Sequence, residues 1–274
     1  MEVITLILIG FIIGSFGTLI GAGGGFILVP FLLIFYPDLG PEVTVAISMA
    51  VVSVNAISGT MAYARSGRID YKAGVVFALF TIPGSILGAL TVKYIPQGVF
   101  NIIFGIMLVL LAVYLFYKNS ISQRQLALFV PGKGHTSHTL TDRSGTTYTY
   151  CYNNTTGNLI SLIVGYISPL LGIGGGIIHV PAMVNWLKFP VHVATATSHF
   201  ILAIMATVTV VTHAVMGTYE QTDTLNMVLY LSLGVVPGAQ LGAFFSHRLK
   251  SSVILQVLSA CMVLVGIRIL FNTH

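Results

Sequence analysis

The sequence predicts an all-α polytopic membrane protein made of two inverted repeats of five helical segments, each repeat opening with a glycine-broken helical hairpin. Three observations predict it. Hydrophobic residues make up 55% of the 274-residue chain and charged residues only 7%, too few charges to coat a water-soluble globule of this size. Apolar stretches of about 20 residues, the length that crosses a bilayer, recur along the chain. A glycine cluster with apolar flanks occurs twice, and the loop charges around the two copies differ in sign.

The first repeat covers residues 1–117. Its opening apolar region, Val3 to Tyr36, is too long for one crossing and is interrupted at Gly21-Ala22-Gly23-Gly24-Gly25, so it reads as two helical arms joined at a bend. No basic n-region or cleavage site accompanies it, and the first segment is expected to stay in the protein. Ordinary spanning helices are expected over Val43 to Ala64, Ala73 to Val92 and Val99 to Tyr117.

Residues 118–157 are polar and rich in Gly, Ser, Thr and Asn, and read as a cytoplasmic connecting loop with a short hairpin around Thr146 to Tyr152. His135 and His138 read as solvated side chains, because no further metal ligands are spaced around them. The second repeat, 158–274, opens with Leu159 to Leu187, broken at Gly172-Ile173-Gly174-Gly175-Gly176, and continues with spans over Ala194 to Val215, Leu225 to Phe245 and Val253 to Phe271. Cys151 lies in the polar loop and Cys261 in a span, so no disulfide is expected between them, and no metal or cofactor motif is present.

Leu19, Gly21, Gly23, Gly24, Gly25, Ile27, Val29 and Pro30 recur at a constant offset as Leu170, Gly172, Gly174, Gly175, Gly176, Ile178, Val180 and Pro181. Further on, Ser48 and Gly67 match Ser198 and Gly217, and Pro83, Gly84 and Gly88 match Pro237, Gly238 and Gly242. Loop charge then sets the relative direction of the copies, since Lys and Arg collect on the cytoplasmic side. Arg65, Arg68 and Lys72 follow the first long span of repeat one, whereas the counterpart loop carries Glu220 and Asp223. Asp38 and Glu42 precede that span, and their counterparts are Lys188 and His192. Equivalent loops lie on opposite sides, which requires an odd number of crossings per repeat and hence two arms per hairpin. Counting each hairpin as one long helix would give eight spans and parallel repeats, against this contrast, although Lys93 and Arg268 run the other way. The basic residues are topology signals rather than a nucleic-acid surface, and the first partner expected is a lipid bilayer.

The second arms, Phe26 to Tyr36 and Ile177 to Leu187, have about 11 residues and rise roughly 16 Å, about half the hydrocarbon thickness. Their N-termini are expected near the midplane, approached from opposite leaflets. A helix N-terminus presents free N–H groups and a partial positive charge, and no Lys or Arg lies in the middle of any predicted span. Gly23, Gly24, Gly25, Gly174, Gly175 and Gly176 are therefore candidates to bind a small anion, with Ser48, Ser198 and Asn55 as donors from the following spans. His199, His179 and His213 are the ionisable groups within spans and are candidates for proton coupling, with sodium as the other coupling ion to consider. Gly14, Gly88, Gly165 and Gly242 read as helix-packing positions, and Gly14→Ala is expected to be nearly neutral.

The segments Gly17-Thr18-Leu19-Ile20-Gly21-Ala22-Gly23-Gly24-Gly25-Phe26-Ile27-Leu28-Val29-Pro30 and Ser168-Pro169-Leu170-Leu171-Gly172-Ile173-Gly174-Gly175-Gly176-Ile177-Ile178-His179-Val180-Pro181 resemble the TauE/SafE family of sulfite exporters and related anion permeases. Ala194-Thr195-Ala196-Thr197-Ser198 and the Pro-Gly bends at Pro83 and Pro237 look similar as well. The resemblance implies a cell-membrane transporter of small anions such as sulfite, sulfonates or sulfoacetate, moved by alternating access. A passive anion channel lined by the same helix ends is the alternative. An intramembrane enzyme is the more distant one, because no His-Glu-x-x-His or Gly-x-Ser-x-Gly motif is present and no carboxylate lies in a span to assist a base.

Overall fold

A computed structural model describes residues 2–119 and 135–246, together with positions 263, 266 and 269. The apolar segments are helical close to the expected bounds. The arms of the first broken hairpin are α1 (Glu2–Ile20) and α2 (Gly25–Phe35), followed by α3 (Gly40–Ser66), α4 (Tyr71–Val92) and α5 (Gln97–Asn119). The second hairpin comprises α6 (Asn154–Leu171) and α7 (Gly176–Asn185), followed by α8 (Val191–Val215) and α9 (Thr222–Phe245). Among the described residues, α1, α3, α4, α5, α8 and α9 are long and apolar enough to cross a membrane. Positions 263, 266 and 269 are helical and Gly266 abuts Val109 of α5, while the rest of the expected span Val253 to Phe271 lies outside the described residues.

Local chemistry sets the helix ends. The Asp70 side chain accepts from the Ala73 amide at 3.0 Å and starts α4, while Gly67, at φ 71, closes α3. Asn153 accepts from the Thr156 amide at 3.2 Å, so α6 begins at Asn154, inside the stretch expected to be loop. α5 likewise extends past 117 to Asn119.

Glycine lets the long helices approach closely. On α1 the apolar side chains of Ile4, Leu8, Ile12 and Phe16 recur every four residues and are exposed, as a lipid-facing stripe requires. The other face carries Gly10 and Gly14, against the backbone of Leu231 and Val235 in α9, and α9 returns Gly238 and Gly242 against Phe11 and Ser15. Residue numbers rise together along this seam, so α1 and α9 are parallel. α4 and α6 make the same contact, with Gly84 and Gly88 against Gly165 to Leu170, and Gly165 against Thr81. In contrast α3 and α8 run oppositely, because Ser53 meets Thr207 at 2.9 Å while Gly59 meets His199. Under the duplication the α1–α9 pair maps onto α6–α4, and the α3–α8 pair maps onto itself.

Opposite directions of α3 and α8 sort the charges. The end where Asp70 donates its amide to Thr197 gathers Arg65, Arg68, Lys72 and Lys188, whereas the end where Thr218 donates to Glu42 gathers Asp38, Glu220 and Asp223.

On the basic end sits an antiparallel hairpin, β1 (His135–Thr141) and β2 (Thr147–Asn153), longer than the one expected from sequence. It is docked on the helices. Tyr150 and Tyr152 pack on Phe189 with ring centroids 4.6 and 4.8 Å away, and the Tyr150 hydroxyl donates to Asp70 at 2.6 Å. Burial, and then the Asp70 carboxylate, push the Tyr150 hydroxyl well above the usual phenol range. His138 is not a solvated side chain: its ring packs against both tyrosines, with centroids 6.1 and 4.9 Å away, and its Nδ1 is 3.3 Å from Asp70, while the side chain of His135 lies outside the described ones. At the turn, Asp142 accepts from Arg68 at 3.2 Å, and its carboxyl is held down to about 2 by the Ser144 hydroxyl first, then by the Thr146 amide and Arg68.

The expectation that Gly14→Ala is neutral fails on this geometry. An added Cβ at Gly14 would lie 2.6 Å from the Val235 carbonyl oxygen, and backbone in a two-helix seam cannot yield as a side chain does. Gly14→Ala is expected to lower stability by the overpacking cost of about 1–3 kcal/mol, read as a lower melting temperature of the purified protein in detergent. Gly98→Ala, where an added Cβ meets nothing within 4 Å, is the control. Equal melting of the two variants would show that α1 and α9 are not in backbone contact.

Candidate substrate site at the crossed glycine breaks

Each break turns the chain through conformations that suit glycine. Gly21, Gly23 and Gly24 have φ of 80, 82 and 88°, and Gly172 and Gly174 have 68 and 69°. The two breaks cross each other. A Cβ on Gly25 would strike the carbonyl oxygen of Gly172, and one on Gly176 would strike that of Gly21, so each half-helix starts directly on the opposite break. Gly23 and Gly174 both lie against Val52, and Gly23 also lies against Leu202, which places the crossing beside the middle of α3 and α8. The amides of Gly25, Phe26, Gly176 and Ile177 open their helices and have no acceptor within them. Both half-helix dipoles present their positive ends here.

The predicted donors divide into two kinds. Ser48 is fully buried and gives its proton to the Gly172 carbonyl at 2.7 Å, and Asn55 gives one to the Gly23 carbonyl at 2.9 Å while accepting from Thr18 at 2.9 Å. These two side chains brace the breaks. Ser198, the counterpart of Ser48, is equally buried, yet its hydroxyl has no partner, and neither does that of Ser168, which lies within reach of Gly175. Buried hydroxyls without partners are uncommon and ask for an occupant. Thr195 and His199, on either side of Ser198 in α8, contact Gly21 and Thr18.

The histidines also separate. His199 lies 3.3 Å from Thr18 Oγ1 through Nε2; since that hydroxyl already donates to Asn55, it accepts, and the imidazole proton is on Nε2. Its Nδ1 has no partner, and its ring meets Tyr63 edge-on at 5.6 Å. His179 faces Ser161 at 3.1 Å, and that hydroxyl donates to Gly157, so this imidazole is held away from the crossing by a structural bond. His213 lies near the acidic end, 6.5 Å from the Tyr219 ring, with neither nitrogen bonded. Thr18 and Tyr63 belong to the His199 cluster, and Ser168 stands at the second break beside Gly175; none of the three was among the candidates. Thr18 and Ser168 stand inside the duplicated motifs, which was the available signal, while Tyr63 joins by donating its hydroxyl to the Thr18 carbonyl at 2.8 Å.

The family profile described as "Sulfite exporter TauE/SafE" matches residues 6–269, nearly the whole chain. The chain belongs to the TauE/SafE family. It is 32% identical over 284 residues to "Probable membrane transporter protein YunE" of Bacillus subtilis (strain 168), covering 99% of this chain and 98% of that one. It is 25% identical over 273 residues to "Probable membrane transporter protein MJ0441" of Methanocaldococcus jannaschii, covering 96% and 93%. No solved structure matches the chain. Membership in TauE/SafE, with six apolar helices of spanning length among the described residues, makes this a multi-pass membrane protein of transporter type, with a small-molecule substrate and a bilayer as its surroundings. In this TauE/SafE chain the duplicated motif is also one of the places where the two halves touch, besides the α1–α9, α4–α6 and α3–α8 contacts.

The division between bracing and unpartnered donors is open to measurement. Ser48→Ala leaves the Gly172 carbonyl without its donor and is expected to cost about 1–3 kcal/mol of stability, the penalty for an unsatisfied buried acceptor. Ser198→Ala removes no bond and is expected to leave the melting temperature unchanged or slightly raised. Equal destabilisation by both would mean that Ser198 has a protein partner.

Proposed function

We propose that the protein exports small anions of the sulfite, sulfonate and sulfoacetate class by alternating access, binding them at the crossed breaks. The observation that carries this reading is the unpartnered, buried Ser198 hydroxyl on α8, between Thr195 and Leu202, which contact the first break at Gly21 and Gly23. Ser198 and Ser168 supply hydroxyl donors and the amides of Gly24, Gly25 and Gly174 to Gly176 supply the rest. Gly23, expected to bind as well, has its amide on the Gly17 carbonyl and its carbonyl on Asn55, so it braces the break along with Ser48 and Asn55. Half-helix ends need no cation to bind an anion at membrane depth. His199 carries the coupling proton in this reading, since its free Nδ1 is part of the same cluster. The units 1–117 and 158–274 act as inverted repeats joined by the 118–157 connection. Support comes from the opposed directions of α3 and α8, and from the basic end, which the positive-inside rule assigns to the cytoplasm.

Uptake of labelled sulfite into proteoliposomes under an imposed proton gradient tests the function. Accumulation against the sulfite gradient is expected, with Ser198→Ala weakening half-saturation by about tenfold or more, the loss of one hydrogen bond to a charged group. Flux that only runs downhill, whatever the proton gradient, would make the protein a channel, and no flux of sulfite, sulfonate or sulfoacetate would overturn the reading. Orientation has its own check in a cysteine-free background. A cysteine at Gln221 should react with an impermeant thiol reagent outside the cell and one at Arg68 should not; labelling of the Arg68 position from outside contradicts the inverted arrangement.

A further inference from the structure

At the basic end, α3 and α9 enclose an open recess of about 350 Å³. Its walls include Tyr63, Arg65, Ser66 and Arg68 from the end of α3 and the turn after it, and Gln240 and Phe244 from α9. Arg68 gives only its Nε to Asp142, leaving both terminal nitrogens, and among the described residues no ion pair involves Arg65. Two guanidinium groups over a small recess whose remaining wall is largely apolar, from Ala62, Tyr63, Ala243 and Phe244, suit a tetrahedral or pyramidal oxyanion, which they grip through paired N–H donors.

The recess is close to the crossed breaks. Tyr63 lines it, and the hydroxyl of the same side chain reaches the Thr18 carbonyl at 2.8 Å, within the cluster that holds Asn55 and His199. On the opposite side Gln240 is tied back to Ser58, one turn below Ala62 on α3, at 2.8 Å. The Tyr63 side chain therefore reaches from the wall of the recess to the interior polar cluster. The counterpart positions at the other end carry no guanidinium. The duplication places Val215 and Thr218 where Arg65 and Arg68 are, and Thr218 donates to Glu42.

Positive charge gathered for topology alone would have no need to line a recess, and guanidiniums serving only to dock the hairpin would face its one carboxylate, Asp142. We infer that the recess is a loading site for a small oxyanion at the hairpin-bearing mouth, with Arg65 and Arg68 as its cations and Tyr63 as the gate between it and the crossed breaks. The inference rests on the transport reading for what lies beyond Tyr63. Occupancy of the recess itself does not. The cationic mouth raises the local anion concentration on one side, and the acidic groups at the far mouth favour departure.

Protection from arginine modification tests occupancy without any need for transport. With the purified full chain, inorganic sulfate should slow the reaction of Arg65 with phenylglyoxal, followed by mass spectrometry of the 65–72 region, in a saturable way that chloride at equal ionic strength does not reproduce. Arg68→Gln should raise the sulfate concentration for half-protection about tenfold, the equivalent of one lost charge-assisted contact. Identical labelling in sulfate and chloride would overturn the loading site, whether or not the protein moves sulfite. In proteoliposomes, Arg65→Gln should raise half-saturation about tenfold for sulfite presented at the hairpin side and leave the opposite side unchanged. Saturable protection without sulfite flux in the parent would instead retain the recess and overturn the transport reading, and an equal effect of Arg65→Gln on both sides would remove the recess from the path.

Discussion

Two stretches of irregular backbone meet beside the middle of the spanning helices α3 and α8, and most of the structure follows from how they are accommodated. Without water at that depth, backbone N–H and C=O groups need partners inside the protein. Within the first break the Ala22 and Gly23 amides return to the Gly17 carbonyl at 2.8 and 3.1 Å, Asn55 covers the Gly23 carbonyl and Ser48 covers that of Gly172. Such contacts demand that the two chains approach backbone to backbone, which is why Gly25 and Gly176 have no room for a side chain. α3 and α8 flank the crossing, and the glycine seams of α1 with α9 and α4 with α6 enclose it. The lipid-facing residues then need only be apolar.

The duplication gives the crossing its shape, and the departures from duplication give it chemistry. Ser48 and Ser198 occupy equivalent places, but only Ser48 reaches a carbonyl. Asn55 is matched by Met205 and His199 by Met49, so the polar cluster around Thr18 has no copy beside the second break. In the proposed function, the symmetric frame would serve alternating access, and the one-sided cluster would be the place where substrate and proton meet. The hairpin adds a further asymmetry, since its Asp142 and tyrosines engage Arg68 and Asp70 at the basic end only.

Much of this was legible in the sequence where periodicity and composition carry the information. The spans over Ala73 to Val92 and Ala194 to Val215 match α4 and α8 because uninterrupted apolar runs leave the backbone no alternative to a helix. The glycine breaks were legible because nothing else explains so many consecutive glycines. The strands of the hairpin were harder to read: Thr147 to Asn153 is mostly Thr and Tyr, and its apolar face exists only once Phe77 and Phe189 are beneath it. The cost of Gly14→Ala was misjudged because spacing identifies a packing face but not how close the neighbouring backbone comes. Nor can one sequence separate Ser48 from Ser198, since their difference lies in the carbonyl that one of them reaches. Tyr63 reads as one more apolar residue of its span until its hydroxyl is seen on Thr18.

The central claim is that the crossing of the two breaks is the place where substrate binds. A structure of the protein determined with selenite, a heavier relative of sulfite, tests it most directly through the anomalous signal of selenium. The account predicts a peak between the starts of α2 and α7, within hydrogen-bond distance of the Ser198 hydroxyl and at least one opening amide. Selenite bound only elsewhere, in a protein shown to transport it, would contradict the account.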